Sequence, residues 1–182
     1  MKTKRIPALI LVLSMALALL SGCSNSSPTG AFSSFSANTL DGSAFTQKDI
    51  AAKDATVINF WATFCGPCLA EMPDLAAYAQ SLPENVQLIT VCLDGAGNPV
   101  GVKHTLDQAG FQGITLLDGD ENFMALCQSV QAVPTTVFVD SSGNTVGDAV
   151  IGGQKDLAAS FTQGVNQVLK ASGKAEISIE GK

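Results

Sequence analysis

The chain has 182 residues, which is enough for one ordinary domain and too short for two full ones once an export segment is removed. Hydrophobic residues make up 46% of the chain and charged residues 14%, so it is neither disordered, fibrous nor a coiled coil. The net charge is −6, and without the cations Lys2, Lys4 and Arg5 the rest of the chain carries −9. Such an acidic body repels phosphate, which argues against nucleic-acid binding.

The first 22 residues have the pattern of an export signal, with a cationic start and an apolar stretch that is too short to span a membrane. The junction Leu-Ser-Gly-Cys at 20–23 resembles a bacterial lipobox, in which the cysteine is lipidated and becomes the mature N-terminus. The alternative is an ordinary signal peptide with a chance cysteine. We therefore predict an extracytoplasmic protein that is anchored to a bacterial membrane through Cys23.

Composition divides the rest of the chain into three parts. Residues 23–30 are polar and cannot bury apolar surface, so they are predicted to be a flexible tether. Residues 31–173 are predicted to form the domain, and residues 174–182 are predicted to be a loosely ordered tail.

Strand and helix signals alternate along the domain. The predicted elements are a hairpin over 35–46, a short helix at 47–53, a strand at 55–61, a helix at 66–82 with a kink at Pro73, a strand at 86–93, a helix at 100–109, a strand at 114–117, a helix at 121–130, a hairpin of strands 134–139 and 145–151, and a closing helix at 154–171. This order predicts an α/β fold with a mixed central sheet flanked by helices and with an N-terminal hairpin extension.

The motif Cys-Gly-Pro-Cys at 65–68 lies where a buried strand ends and a helix begins. At a helix start, unpaired N–H groups and the helix dipole stabilise a thiolate, and the thiol pKa can fall from about 8.5 into the range of about 3.5–7.5. Cys65 is therefore the predicted nucleophile. Cys68 is close enough to form a disulfide with it and suits the resolving role. A static structural disulfide is the alternative, although so small a ring gains little loop entropy.

Two further cysteines, Cys92 and Cys127, lie on a predicted strand and a predicted helix. An exported protein rarely keeps two unpaired cysteines, so we expect a disulfide, which would close a loop of about 36 residues and stabilise the domain by roughly 4 kcal/mol. The alternatives are two buried free thiols or a relay that passes oxidising equivalents inward. The spacing does not predict a zinc site, and His104 is expected at the surface.

Three segments carry a resemblance to the thioredoxin superfamily, and within it to the TlpA/ResA-like membrane-anchored thiol-disulfide oxidoreductases. The resemblance covers about residues 31–171, and its motifs are residues 57–68, Glu71-Met72-Pro73, and residues 133–140 followed by Gly143. The resemblance implies a thioredoxin-like fold. Asn59 stands where thioredoxins proper carry a buried aspartate, which favours the TlpA/ResA branch, and Phe64 replaces a tryptophan that is usual in both branches.

The resemblance also implies roles for individual residues. Val133-Pro134 would be a cis peptide that faces the cysteines and offers Val133 backbone hydrogen bonds to an extended client segment. Glu71 would exchange a proton with Cys68. The residues expected to contact client proteins are Phe64, Gly66, Pro67, Val133 and Pro134.

The implied function is reduction of disulfides in exported client proteins, with no cofactor beyond the Cys65–Cys68 pair. Apocytochrome c and oxidised repair enzymes such as methionine sulfoxide reductase are clients in such families, and a membrane thiol transporter would supply electrons to the monomer. Two other classes fit less well. A copper-binding module on this fold would want a CxxxC spacing and a distal histidine, and a thiol peroxidase would need its cysteine in a Thr-x-x-Cys turn that this chain lacks.

Overall fold

The computed structural model describes residues 32–179, so the predicted signal peptide, the lipobox cysteine Cys23 and the tether lie outside the described residues. Seven strands and five helices follow one another: β1 (Ser36–Thr39), β2 (Ala44–Thr46), α1 (Gln47–Ala51), β3 (Ala55–Trp61), α2 (Gly66–Ser81), β4 (Val86–Cys92), α3 (Pro99–Ala109), β5 (Ile114–Gly119), α4 (Glu121–Ser129), β6 (Thr135–Asp140), β7 (Val150–Ile151) and α5 (Leu157–Ala171). A short 3₁₀ helix, Gly95–Gly97, which the sequence did not predict, lies between β4 and α3.

The strands form one sheet in the order β2-β1-β5-β4-β3-β6-β7. Strands β3, β4 and β5 are parallel, and the other pairs are antiparallel. The predicted mixed sheet with flanking helices is therefore confirmed. The N-terminal hairpin is part of the same sheet because β1 pairs with β5. The two strands approach closely at Gly119, where a Cβ would lie only 2.4 Å from the Ser36 carbonyl oxygen.

Two apolar cores cover the two faces of the sheet. Side chains of β3 alternate between them: Val57 and Trp61 point to a first core, and Ile58 and Phe60 point to a second core. Helices α2, α3 and α5 contribute buried side chains to the first core, and α1 and α4 contribute to the second. Every residue of β3 is buried, as expected for a central strand that is covered on both sides.

Two features of the C-terminal half concern the predicted second hairpin and the predicted tail. Strand β7 has only two residues instead of the predicted 145–151, because Gly147 has a φ of +74°, which interrupts the extended backbone. Residues 174–179, predicted to be a loosely ordered tail, form no helix or strand, but part of this segment contacts the domain. The N–H of Ile177 donates to Asn166 Oδ1 at 2.8 Å, the Asn166 amide donates back to the Ile177 carbonyl at 2.9 Å, and Ile177 and Ile179 pack against the first core.

Helix α5 approaches the sheet closely at Gly164, which gives a stability prediction. A Cβ at this position would lie 2.3 Å from ring atoms of the buried Phe138. Gly164→Ala should therefore lower the free energy of unfolding by about 1–2 kcal/mol, since overpacking outweighs the better helix propensity of alanine. Urea denaturation measures the change. The added substitution Phe138→Leu makes room and should recover part of the loss, and an unchanged midpoint for Gly164→Ala alone would contradict the prediction.

Candidate redox site

The carboxyl end of β3 and the start of α2 place the two motif cysteines. Residues 62–65 form the turn between β3 and α2, in which the N–H of Cys65 donates to the Ala62 carbonyl at 3.1 Å. Cys65 is the N-cap residue of α2, with extended backbone angles of φ −86° and ψ 99°. Pro67 occupies the first turn, where its missing N–H needs no partner.

Cys65 and Cys68 are joined by a disulfide with a Cα–Cα distance of 5.3 Å. The N–H of Cys68 donates to Cys65 Sγ at 3.2 Å, so the helix start supplies a donor to this sulfur. Cys65 is 7% exposed and Cys68 is 1% exposed. Cys65 is thus the sulfur that a second molecule can approach, and Cys68 is covered by its own helix.

A cis peptide bond between Val133 and Pro134 lies beside this disulfide. The Val133 carbonyl oxygen is 3.6 Å from Cys65 Sγ. The next residue, Pro134, is held by the backbone after β7, because the Gly152 N–H donates to the Pro134 carbonyl at 2.8 Å. The loop before β6 is therefore held between the cysteine turn and the end of the edge strand β7.

Glu71 lies on the buried side of α2, three residues after Cys68, and is only 6% exposed. Its Oε1 accepts from the Asn59 side-chain amide at 3.5 Å, and its buried Oε2 has no side-chain or backbone partner within hydrogen-bonding distance. Burial raises the pKa of Glu71; the nearby Gln154 backbone and the Asn59 amide oppose this, and the charge of Asp74 adds to it.

Polar neighbours fix the surroundings of that carboxyl. The Asn59 amide also donates to Thr136 Oγ1 at 2.9 Å, so strands β3 and β6 orient it together. A Cβ on Gly153 would lie 3.6 Å from Glu71 Oε2, which places the backbone after β7 directly against the carboxyl group. The sequence did not single out Thr136 or Gly153 for this site, because strand pairing and a loop bring them there from more than 60 residues away.

Exposed apolar side chains lie next to the cysteines in the chain and on the edge strand β7. Phe64, immediately before Cys65, is 80% exposed, and Ile151 on β7 is 64% exposed. Leu69 on α2 is partly exposed as well, and Gly66 and Pro67 lie at the surface. We call Phe64, Leu69 and Ile151 the apolar rim. Of these three, only Phe64 is a site residue predicted from the sequence, since the exposure of Ile151 follows from its place on the edge strand.

The expected disulfide between Cys92 and Cys127 is wrong, and both cysteines are free. Cys92 belongs to the first core, whereas Cys127 on α4 packs against the second core. Both do point into a layer between sheet and helix, but the layers lie on opposite faces of the sheet. A disulfide requires Cα atoms within about 7 Å, which a sheet between them forbids.

The two free thiols give a direct prediction. Denaturation of the oxidised protein without reductant, followed by alkylation and peptide mass spectrometry, should label Cys92 and Cys127 and leave Cys65 and Cys68 unlabelled. Burial raises the pKa of Cys127 to about 11 and raises the pKa of Cys92 above its ordinary range, so neither thiol should react while the protein is folded. A labelled Cys65 together with an unlabelled Cys92 would contradict this arrangement.

Within residues 32–179, no three His, Cys, Asp or Glu side chains are grouped closely enough to hold a metal ion. His104, on α3, is exposed, as expected from the sequence. The same residues include no helix with the length and apolar character needed to cross a bilayer.

The family model described as Redoxin matches residues 25–155. The chain belongs to the Redoxin family. Among solved structures, dsbF of MTB, described in its mixed oxidised and reduced forms, is 29% identical, with a TM-score of 0.62 over 76% of this chain and 97% of that chain. This similarity confirms the thioredoxin-like fold.

Curated relatives of this chain carry names that describe thiol chemistry. The thiol-disulfide oxidoreductase ResA of Bacillus anthracis is 29% identical over 116 residues, which is 63% of this chain and 64% of the relative. The thiol:disulfide interchange protein HelX of Rhodobacter capsulatus is 33% identical over 106 residues, which is 54% of this chain and 53% of the relative. The chain thus spans less than two thirds of the length of these relatives.

Proposed function

We propose that this Redoxin-family protein is an extracytoplasmic thiol-disulfide oxidoreductase that reduces disulfides in exported proteins. The observation that carries the proposal is the Cys65–Cys68 disulfide at the start of α2, with Cys65 as N-cap and a cis proline beside it. The names of the ResA and HelX relatives support the same chemistry.

The first step starts from the reduced protein. The Cys65 thiolate, stabilised by the Cys68 N–H and the helix start, attacks one sulfur of a client disulfide. A bond forms between Cys65 and that sulfur, the client disulfide breaks, and the other client sulfur leaves as a thiolate with the electron pair. The product is a mixed disulfide between protein and client.

The second step releases the client. Cys68 gives its proton to Glu71, and its thiolate attacks Cys65 Sγ in the mixed disulfide. The Cys65–Cys68 bond forms and the second client thiolate leaves. Two electrons have then moved to the client, which is reduced, and the protein is oxidised to the state that the structure contains. Burial suits Glu71 to this role because its raised pKa brings it closer to that of a thiol.

An extended client segment fits the surface beside the disulfide. The Val133 backbone just before β6 and the short edge strand β7 offer main-chain hydrogen bonds, and the apolar rim offers apolar contact. Apocytochrome c and oxidised methionine sulfoxide reductase are the clients that the sequence resemblance favours.

Membrane attachment through Cys23 and a membrane thiol transporter as donor complete the proposal. The Gly66-Pro67 pair between the cysteines resembles that of reducing thioredoxins, which favours electron flow from donor to client. The donor must be a dithiol that becomes a disulfide, because the cycle leaves Cys65–Cys68 oxidised.

The deciding experiment measures the equilibrium redox potential of Cys65–Cys68 against glutathione and traps clients on Cys68→Ser. A potential near that of thioredoxin, about −270 mV, supports reduction, and a potential near −120 mV, as in strong oxidases, would reverse the direction. If no exported protein accumulated as a mixed disulfide, the enzyme proposal would fail. Copper titration of the reduced protein and peroxide consumption without an added dithiol test the two other classes.

A further inference from the structure

Asp94, just after β4, holds the turn that carries the proposed nucleophile. The Thr63 N–H donates to Asp94 Oδ1 at 2.9 Å, and the Thr63 hydroxyl donates to the other carboxylate oxygen, Oδ2. Thr63 lies two residues before Cys65, in the 62–65 turn. Each oxygen of one carboxylate therefore holds one group of a single turn residue, which fixes both the backbone and the side chain of Thr63.

The buried thiol of Cys92 is a third donor to the Asp94 carboxylate. Cys92 Sγ is 3.2 Å from Asp94 Oδ1, and Cys92 is fully buried. Burial and the neighbouring Asp94 raise the pKa of Cys92, so this thiol keeps its proton and donates it. Burial raises the pKa of Asp94, but the hydrogen bonds from Thr63 and Cys92 outweigh it and hold that pKa below its ordinary value. Asp94 is thus an ionised acceptor for three donors.

The strand ends beneath the turn are joined as well. The Leu93 N–H donates to the Trp61 carbonyl at 2.9 Å, so β4 and β3 are still paired at the point where β3 enters the turn. Beyond Thr63, the turn closes on itself through the bond from Cys65 to Ala62. Thr63 is therefore the residue through which the rigid end of β4 can restrict the movement of Cys65.

We propose that Asp94 is a positioning residue for Cys65: by holding Thr63 through both carboxylate oxygens, it keeps Cys65 Sγ in place between the Cys68 N–H and the Val133 carbonyl. This inference rests on the proposed role of Cys65 as nucleophile. Asp94 does not touch the reacting sulfur in this arrangement, and it acts through Thr63. The contact is between groups outside the disulfide, so it is available in the oxidised and the reduced protein alike.

The negative charge of Asp94 and its positioning role predict opposite changes in the reaction rate of Cys65 when Asp94 is replaced. A carboxylate near a thiolate disfavours the thiolate, so removal of the charge would speed the reaction of Cys65 if electrostatics dominated. Loss of the hydrogen bonds would instead let the turn move, weaken the contact between Cys65 Sγ and the Cys68 N–H, and slow the reaction. The sign of the change therefore separates positioning from simple charge repulsion.

The test measures alkylation of Cys65 in the reduced full-length protein by iodoacetamide as a function of pH, with peptide mass spectrometry to report the site. Asp94→Ala should react about tenfold more slowly at pH 7, within the range that misplaced reacting groups produce, and its thiol titration should move to higher pH. Asp94→Asn keeps one acceptor oxygen for the Thr63 N–H and should lose less. Thr63→Val removes only the hydroxyl donor and should also lie between wild type and Asp94→Ala.

Asp107→Asn is the matched control, since Asp107 is an exposed carboxylate whose partner is Lys103 on the same helix. It should react like wild type. An unchanged or faster rate for Asp94→Ala would overturn the proposal, and so would a lowered melting temperature with an unchanged pH profile. Because alkylation needs no client, this result does not depend on reductase activity, and failure to trap clients would count only against the proposed function.

Discussion

Cys65→Ser is expected to lose reductase activity by roughly a thousandfold or more, the scale seen when a catalytic nucleophile is removed. A serine hydroxyl is not ionised near neutral pH and cannot form a disulfide with the client or with Cys68. The measurement is reduction of a model disulfide protein by catalytic amounts of the enzyme with a dithiol donor, and the background rate of the donor alone is subtracted.

Two further variants sharpen this result. Cys127→Ser changes the same atom in a free, half-buried cysteine on the other face of the sheet and should leave the rate near that of wild type. Cys68→Ser should lose turnover but still form the mixed disulfide, because Cys65 remains. If Cys65→Ser and Cys127→Ser lost activity equally, the assignment of the nucleophile would be wrong.

Local sequence patterns were enough to predict the corner that carries these cysteines. The strand β3 has apolar or β-branched residues at nearly every position, and Pro67 with the following apolar periodicity marks the start of α2. These signals depend on neighbours in the chain. The cis Val133–Pro134 bond had no such local signal and was expected only from the family resemblance.

Long-range packing decided what the sequence could not. Periodicity showed that Cys92 and Cys127 each face a layer beside the sheet, but a period gives no information about which of two layers that is. The layer that Cys127 faces depends on which face of the sheet α4 packs against after β5. Helix α4 packs on the face of the second core, against β1. For the same reason the Thr63–Asp94 contact was missed: two polar residues at the ends of neighbouring strands look like ordinary loop residues in one dimension.

Glu71 links the buried polar groups to the proposed chemistry, and Glu71→Gln tests that link. The amide cannot accept the Cys68 proton, so release of the client from a preformed mixed disulfide should slow by about a hundredfold at pH 7, the lower range for general acid-base catalysis. The deficit should shrink above about pH 9, where a thiol with an ordinary pKa loses its proton to solvent. Single-turnover release, followed from pH 5 to 10, measures this effect.

A neighbouring carboxylate supplies the control for that experiment. Asp74→Asn removes an exposed charge that raises the pKa of Glu71, while Glu71 itself remains. It should keep a release rate within about twofold of wild type at pH 7, since a surface charge contributes little. An equal deficit at every pH for Glu71→Gln would mean that Glu71 shapes the site and does not receive the proton.

Glu71→Gln should also stabilise the fold at neutral pH, and this effect separates a functional carboxyl from a structural one. The pKa of Glu71 is raised in the folded state above the ordinary value of 4.5, so its favourable contribution is fully present below pH 4.5 and is lost as pH rises through the folded pKa. Glutamine stays neutral throughout. Denaturation at several pH values should therefore show Glu71→Gln and wild type equally stable near pH 4 and the variant more stable by about 1 kcal/mol at pH 7, where wild type must bury a charge with an unpartnered oxygen. A variant that is less stable than wild type at pH 7 would show that the ionised carboxylate stabilises the fold, and the reason for keeping a glutamate at this buried position would then be structural.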